Sequence, residues 1–429
     1  MKWSRIAAIV AGMAAQIATT AGAQSAQPPV PTPRPASPQA DAAQTSPAPP
    51  FTAGWQDGFV LQSADGENRL VLGLTAQIDG RFSLDDPLPI ANTFTIRKAR
   101  PTFSGQVAKY FAFKVMPDFG NGTAVLTDAY FDIRFSPKFR IRSGKDKTPV
   151  GYELLQGDPY LLFPERALAS SLVPNRDVGF QVQGDLSPGL SYAGGVFNGV
   201  PDASSSTADV DANNPKDLAG RVVWQPFRST KTPAGALNGL GFQVGGSIGT
   251  QGGPLPSFRT SVGQTYFSYA TGSAASGGRR RATPAVFYYY KSFGAFAEYM
   301  RSTQTIARSS STSEITNDGW EVTGSWLLTG EAASDRGVRP RHVFDPATGN
   351  WGALQIAARY SQLHVDPLAF TNGLAASTSS RTASAFTVAA NWYPAAILKY
   401  YAAFERTSFD GGASRPTEHV ILFRAQVAF

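Results

Sequence analysis

The chain is poor in several residue types, and each shortage excludes a class of protein. Its 429 residues include no cysteine and only three histidines. Disulfide scaffolds and thiolate metal centres are therefore excluded. Neither a Walker loop nor a zinc-ligand spacing is present, so the sequence predicts no metal or cofactor. Beyond the first residues, no run of about 18 apolar residues predicts a membrane-spanning helix.

The amino-terminal segment has the pattern of a secretory signal. Lys2 and Arg5 precede the apolar residues 6–15, and the small residues 21–23 form an A-x-A site. This pattern predicts a signal peptide over residues 1–23, cleaved before Gln24. Without the two basic residues of the signal, the remaining chain has 36 Lys and Arg and 31 Asp and Glu, a net charge of +5. That excess permits attraction of anions, and no nucleic-acid motif accompanies it.

The next segment, residues 24–50, is rich in proline and alanine. Such a composition does not bury a core and favours extended conformations. It predicts a disordered linker, either a simple tether or a spacer that reaches toward peptidoglycan. Residues 51–429 are predicted to form the folded part of the chain.

The final nine residues predict a strand of a transmembrane barrel. Ile421, Phe423, Ala425 and Val427 alternate with polar residues, and the chain closes on the aromatic Phe429. A soluble sandwich shows the same alternation, but an exported chain without a membrane helix has its natural place in the Gram-negative outer membrane. The sequence therefore predicts an all-β fold, a transmembrane β-barrel.

The same alternation recurs along the chain and predicts sixteen antiparallel strands. We expect the last strand to pair with the first, because no sheet edge is tolerated in hydrocarbon. Short turns alternate with long loops, except for a long connection at 330–350 on the periplasmic side. The predicted strands lie near 70–83, 93–105, 108–117, 125–135, 139–145, 176–185, 190–198, 216–226, 238–250, 282–291, 295–302, 319–329, 351–364, 384–393, 396–408 and 417–429.

Several segments, in order, resemble the phosphate-selective porin O and P family. The resemblance implies a sixteen-stranded anion channel, usually trimeric, whose third external loop folds inward; here that loop is 146–175. Its apolar composition also favours packing against the wall. The similar segments are RKAR (97–100), LTDAYFDI (126–133), IRSGKDKTPVGYE (141–153), ERALASSLVPNRDVGFQVQG (165–184), GRRRATPAVFYYY (278–290), AFAEY (295–299), LLTGE (327–331) and WGALQIAARYSQL (351–363).

Cationic side chains on the inner face are the candidates for anion selection. In the strand 93–105 the alternation places Lys98 and Arg100 in the lumen and Arg97 outside. Lys98 stands where the family commonly has arginine, which keeps the charge but loses the planar fork. The candidate pore-lining residues are Lys98, Arg100, Arg142, Lys145, Arg166, Arg176, Arg279, Arg280, Arg281 and Arg359. The candidate constriction-loop residues are Lys147, Tyr152, Glu153 and Asp158.

These residues leave three functions open. The first is an anion-selective channel for phosphate or polyphosphate. The second is a general diffusion porin, in which acids such as Asp132 and Glu165 face the arginines across the pore, and in which the arginine triplet 279–281 binds lipopolysaccharide phosphates. The third, a barrel hydrolase, needs a histidine paired with a nucleophile or acid, and His342, His364 and His419 have no evident lumen partner.

Overall fold

The fold is described from a computed structural model that covers residues 51–85, 91–206, 214–228 and 235–429. The predicted signal peptide and the proline-rich linker lie outside the described residues. Twenty strands are present in the described part, and eighteen of them belong to one sheet. Two of the eighteen form an amino-terminal hairpin beside the barrel, and the other sixteen form a closed antiparallel ring. The predicted number of barrel strands is confirmed.

Each barrel strand pairs with its neighbours along the chain, and the ring closes between the last strand and the first. The register there runs from Val420 opposite Ser83 to Ala428 opposite Thr75, as expected. The barrel strands are β3 (Arg69–Ser83), β4 (Thr93–Val107), β5 (Phe111–Asp118), β6 (Val125–Ser136), β7 (Phe139–Lys147), β8 (Arg176–Ser187), β9 (Leu190–Phe197), β10 (Asp217–Trp224), β11 (Leu240–Gly253), β14 (Ser273–Tyr290), β15 (Phe293–Arg308), β16 (Ser311–Leu327), β17 (Ala353–His364), β18 (Ser380–Ala395), β19 (Leu398–Gly412) and β20 (Glu418–Ala428).

The two faces of the ring differ in polarity. On β17, Leu354 and Ile356 are exposed to 41% and 45%, whereas Gln355 and Arg359 are buried. Because the side-chain period of a strand is two, one face of the wall is apolar and outward and the other is polar and inward. A barrel in lipid requires this arrangement, which is the inverse of that in a soluble protein.

Two hairpins that the sequence did not reveal accompany the barrel. The first consists of β1 (Phe51–Trp55) and β2 (Phe59–Ser63), and β2 pairs with the start of β3. This hairpin places Trp55 beside the ring of Phe429, with ring centroids 5.2 Å apart. The second, β12 (Phe258–Arg259) with β13 (Thr265–Phe267), lies in the connection after β11. The next strand was predicted to begin near residue 282, but β14 already begins at Ser273.

Helices contribute little. A single turn of α-helix, Pro367–Thr371, lies in the connection between β17 and β18, and Asp366 caps it by accepting from the Leu368 N–H. Within the described residues, none of the helices has the length and apolarity to cross a membrane.

The long connection at 328–352, between β16 and β17, packs against the barrel. Its Val338 is buried in a cluster with Leu327, Ala353 and Tyr393. Gly337 has a φ of +92° and approaches the ring of Tyr160 so closely that a Cβ would lie 2.9 Å from it. The connection at 328–352 therefore also contacts the segment that follows β7.

Candidate functional site

The connection between β7 and β8 reaches side chains on the far side of the ring. Lys399 Nζ donates to the carbonyl oxygen of Leu161 at 2.7 Å, and Asn391 Nδ2 donates to that of Leu162 at 3.0 Å. These side chains belong to β19 and β18, which stand six and seven places from β7 by the shorter way around the sixteen-strand ring. All of these contacts lie on the inner, polar face of the wall.

The start of this connection is held by β14 and β15. The Glu298 carboxylate accepts from the backbone N–H groups of Tyr152 and Glu153 at 2.6 and 3.0 Å. Gly151 N–H donates to Thr283 Oγ1 at 3.2 Å. The ring of Tyr152 stacks on Phe287, and its hydroxyl lies 3.0 Å from that of Tyr289. The hydrogen bonds that a Glu298 carboxylate accepts are stronger than those between neutral groups.

Asp158 of the connection gathers three of the predicted cations. Lys98 Nζ lies 2.6 Å from its carboxylate and Arg166 Nη2 lies 2.7 Å away, while Arg100 bridges Asp158 and Asp118. Burial raises the pKa of Asp158, but the surrounding cations outweigh that effect and hold its pKa well below the usual range. The carboxylate is therefore charged, and the prediction that Lys98 and Arg100 face inward agrees with their contacts.

Glu165 gathers a second group of arginines. Arg97 Nε and Arg81 Nη2 lie 2.8 and 2.9 Å from its carboxylate. Arg424 lies near it at 3.6 Å and forms a two-pronged ion pair with Asp79, at 2.6 and 2.7 Å. Burial raises the pKa of Glu165, but Arg97, Arg424 and Arg81 outweigh that effect and lower its pKa to about 2.

The predicted outward orientation of Arg97 is wrong. The register between β3 and β4 shifts at this point, with Gln77 opposite Lys98 and Ile78 opposite Ile96, so Arg97 is the extra residue of a β-bulge. A bulge re-aims the side chain that it inserts. Arg97 and Lys98 therefore both contact the connection.

Glu153 is the third carboxylate of the connection that pairs with an arginine of the wall. Arg359 Nη1 lies 3.0 Å from its carboxylate, and Arg359 Nη2 lies 3.7 Å from Glu405. The other oxygen of Glu153 accepts from Ala167 N–H at 2.8 Å and from Ser170 Oγ at 2.7 Å. The two ends of the connection are thus joined to each other and to β17.

The remaining predicted cations are spread around the wall. Arg142 pairs with Asp132 at 2.7 Å and lies over the ring of Tyr130, and Arg176 Nε pairs with Asp128 at 2.6 Å. Lys145 is buried on β7. The acids considered as a facing row, such as Asp132 and Glu165, therefore pair directly with arginines.

The arginine triplet 279–281 does not act as one cluster. Arg279 pairs with Asp217 at 2.7 Å and Arg281 with Asp202 at 2.6 Å, and both arginines are buried. Arg280 was predicted to line the pore, and this is wrong. The strand alternation places it on the outer face opposite Ile248, where its side chain is 62% exposed and pairs with Glu314.

A cavity of about 440 Å³ lies beside the connection. Seven cationic side chains line it, against four carboxylate side chains and the carboxyl terminus of Phe429. That balance leaves a formal excess of two positive charges. The cations are Arg100, Lys114, Lys147, Arg176, Arg336, Arg339 and Lys399, and the acids are Asp57, Asp128, Asp146 and Asp158.

Lys147 and Lys399 differ from the other cations of this cavity. Lys147 Nζ donates to the carbonyl oxygens of Leu154 and Gln156 at 2.7 and 2.6 Å. Lys399 Nζ donates to Leu161 O and lies 3.9 Å from the ring centroid of Tyr401. Neither ammonium forms an ion pair with a carboxylate in the described part of the chain.

The sequence profile described as "Phosphate-selective porin O and P" matches residues 72–429, which is most of the chain. The chain belongs to this porin family. It is accordingly an outer-membrane porin, as the closed barrel and its apolar outer face require. Among curated proteins, no sequence matches it significantly.

Solved porin structures share the fold at low sequence identity. The outer membrane channel DcaP of Acinetobacter baumannii superimposes with a TM-score of 0.57 at 10% identity, covering 87% of this chain and 99% of that one. An anion-selective porin from Comamonas acidovorans gives 0.52 at 12% identity, covering 85% and 100%. OmpT of Vibrio cholerae in its trimer form gives 0.50 at 10%, covering 84% and 99%.

Sequence reasoning missed several charged residues of this porin. Lys399 and Glu298 lie on strands whose inner neighbours, such as Tyr401 and Met300, are as apolar as the outer ones, so the alternation gave no signal. Arg336 and Arg339 lie in the connection that was singled out only for its length.

Two of the three histidines have carboxylate partners on the outer face of the porin. His419 Nδ1 lies 2.8 Å from Asp85, and His364 Nδ1 lies 3.6 Å from Asp318. His419 stands opposite Arg406 and alternates with inward residues of β20. Neither pair faces the interior of the barrel.

Proposed function

We propose that this porin is an anion-selective channel whose permeants are phosphate and other small oxyanions. The observation that carries the proposal is the state of Lys147 and Lys399. Both line the cavity, and both are bound only by neutral acceptors. Neither is bound to a carboxylate, so each keeps N–H donors for an anion that enters the cavity.

We further propose that the connection between β7 and β8 lies across the lumen and narrows it. Its contacts with side chains of β14, β15 and β17–β20 support this position. In a narrow passage an anion exchanges water for the nearest donors, so the cations around Asp158 and Lys399 contribute most. Charges at the rim are screened within about 8 Å at physiological salt and affect mainly the capture rate.

The experiment is a reversal-potential measurement in planar bilayers across a potassium chloride gradient, repeated with added phosphate. We expect wild type to favour chloride, and phosphate to reduce the chloride current. Lys147→Gln and Lys399→Gln each remove one uncompensated charge, so each shifts the reversal potential toward cation selectivity and weakens the phosphate block. Arg280→Gln is the matched control, because Arg280 lies on the outer face and leaves both values unchanged.

A different outcome supports the other porin function. If both lysine variants keep the wild-type reversal potential and phosphate has no effect, the pore is a general diffusion channel and its ion pairs only brace the wall. The family resemblance and the trimer form of OmpT also support assembly as a homotrimer, because a rotational axis reuses one wall patch on each neighbour. The detergent-corrected mass of the native protein tests that assembly.

Export by a cleaved signal peptide and contact of the outer wall with lipopolysaccharide complete the proposal. The amino-terminal sequence of the mature protein tests the first, with Gln24 expected as the first residue. Arg280 and Arg301 lie on the outer face of β14 and β15, where lipid phosphates are within their reach. Co-purification of lipopolysaccharide with wild type, and less of it with an Arg280→Ala and Arg301→Ala double variant, tests the second.

A further inference from the structure

A pair of glutamates stands behind the connection between β7 and β8. Glu298 of β15 and Glu321 of β16 face each other directly across the two strands. Their side chains lie on the inner face, and they are 2% and 0% exposed. Their carboxyl groups are therefore close neighbours that have little contact with water.

The two carboxyl groups have different partners. Both oxygens of Glu298 accept from backbone N–H groups of the connection, at Tyr152 and Glu153. Glu321 Oε2 accepts only a long hydrogen bond of 3.4 Å from Thr323 Oγ1. Glu321 Oε1 is buried and has no hydrogen-bond partner among the described residues. An unsatisfied buried carboxyl oxygen is costly.

The charges around the pair do not balance three carboxylates. Glu153 of the connection and Arg359 of β17 are the charged groups that face the pair, while β14 offers the uncharged Thr283. Arg359 is bound to Glu153 and is shared with Glu405. Neither Glu298 nor Glu321 therefore has a cationic partner among the described residues. Like charges at such close range favour keeping a proton on one of the groups.

We infer that Glu298 is a positioning residue that clamps the start of the connection, and that Glu321 carries the proton that lets Glu298 remain an acceptor. Ionised Glu298 has the two lone-pair oxygens that the N–H groups at Tyr152 and Glu153 need. The protonated Glu321 is neutral and does not repel it. The inference rests on the proposal that the connection narrows the pore.

Loss of the Glu321 proton weakens the clamp. As the pH rises, a second negative charge develops beside Glu298 and Glu153, and repulsion drives the carboxylates apart. The backbone groups at Tyr152 and Glu153 then lose their acceptor, and the start of the connection is released from β15. Conductance therefore becomes unstable at alkaline pH.

The test compares Glu298→Gln with Glu321→Gln in the full-length porin in planar bilayers. The amide introduced by Glu298→Gln presents a donor to two N–H donors, so this variant releases the connection at every pH. We expect the frequency of current flicker to rise roughly tenfold, since the loss of one charged hydrogen bond shifts a local equilibrium by about that factor. Glu321→Gln stays neutral, so its flicker matches wild type at neutral pH.

The pH dependence separates positioning from simple structural support. As the pH rises from neutral to alkaline, wild type shows a rise in flicker, whereas Glu321→Gln stays flat because it has no proton to lose. A Glu321→Gln variant with the full wild-type rise would overturn the role of the Glu321 proton. A Glu298→Gln variant with wild-type conductance and flicker would overturn the clamp.

A milder variant covers the case in which Glu298→Gln does not fold, as judged by heat-modifiable migration on a gel. Thr283→Val removes the hydroxyl that accepts from Gly151 N–H, at the same end of the connection. We expect a smaller rise in flicker, and an unchanged value would count against the clamp. Ion selectivity is read separately from reversal potentials, so a selectivity result that contradicts the proposed function leaves the flicker result to be judged on its own.

Discussion

The inner wall of this porin has two contrasting parts. Along β3–β8 and β19–β20 it carries ion pairs, among them those of Arg100, Arg176 and Arg424. Along β14–β18 an apolar cluster that includes Leu172 of the connection, Phe258 of β12 and Met300 of β15 lies beside the fewer ion pairs of Arg279, Arg281 and Arg359. Because an apolar cluster excludes water, we expect the permeation path of the proposed channel to follow the charged part.

The largest effect is expected from breaking the ion pair between Arg424 and Asp79 at the seam, where β20 pairs with β3. Arg424→Ala leaves Asp79 buried without its two-pronged partner, at 2% exposure. Removing one member of a buried pair costs about 3–5 kcal/mol, because an uncompensated charge remains. The temperature at which folded protein converts to the unfolded gel band should fall strongly. Arg424→Met combined with Asp79→Asn removes both charges and should recover most of the loss; no recovery would contradict this account.

The next effect tests the apolar part. Met300 is fully buried in the large cluster, so Met300→Ala opens a cavity and costs about 2–5 kcal/mol. Because the residue carries no charge, the reversal potential of the folded channels should stay at the wild-type value. The gel conversion temperature and the bilayer recording measure the two quantities on one preparation. A shift in selectivity would mean that this part of the wall also lines the path.

The third effect is the loss of stability in acid, when Glu165 becomes protonated. The pKa of Glu165 is lowered from its ordinary value of 4.5 to about 2. A group whose pKa is lowered by folding stabilises the fold fully above its ordinary pKa, and that contribution is lost as the pH falls toward the folded value. We expect the conversion temperature to fall between about pH 4.5 and pH 2. Glu165→Gln should be less stable at pH 7 and should flatten this part of the profile.

The smallest effect concerns the exposed pair outside the barrel. Arg280 and Glu314 are 62% and 60% exposed, and such pairs contribute about 0–1 kcal/mol. Arg280→Gln should leave both the gel conversion temperature and the reversal potential within error of wild type. A selectivity change as large as that of Lys399→Gln would show that the outer face contributes to the pore after all.

The sequence predicts the wall better than the interior, for a physical reason. Lipid requires an apolar residue at every second position, so strands such as β17 and β20 and their pairing around the ring follow from periodicity. Arg100 and Arg359 face inward for the same reason. A β-bulge breaks the period at Arg97, and that prediction fails. Arg280 fails because three adjacent arginines were treated as one cluster although alternation separates them.

The contacts of the connection between β7 and β8 are beyond such reasoning. Glu153 meets Arg359 across 206 residues of chain, and Leu161 meets Lys399 across 238. Nothing local in the sequence encodes these pairs, because each partner satisfies its own strand pattern whichever loop it touches. The sequence indicated a loop too apolar for water, but which wall residues hold it depends on how the ring closes.

The seam between β20 and β3 has a consequence for the order of biogenesis. Arg424 and Asp79 are 345 residues apart, and Arg424 also contacts Pro164 and Glu165 in the middle of the connection. Contacts this distant in the chain form late. If the connection narrows the pore as proposed, an unfinished sheet has no fixed constriction. The insertion machinery that pairs the last strand with the first then also sets the permeability of the barrel.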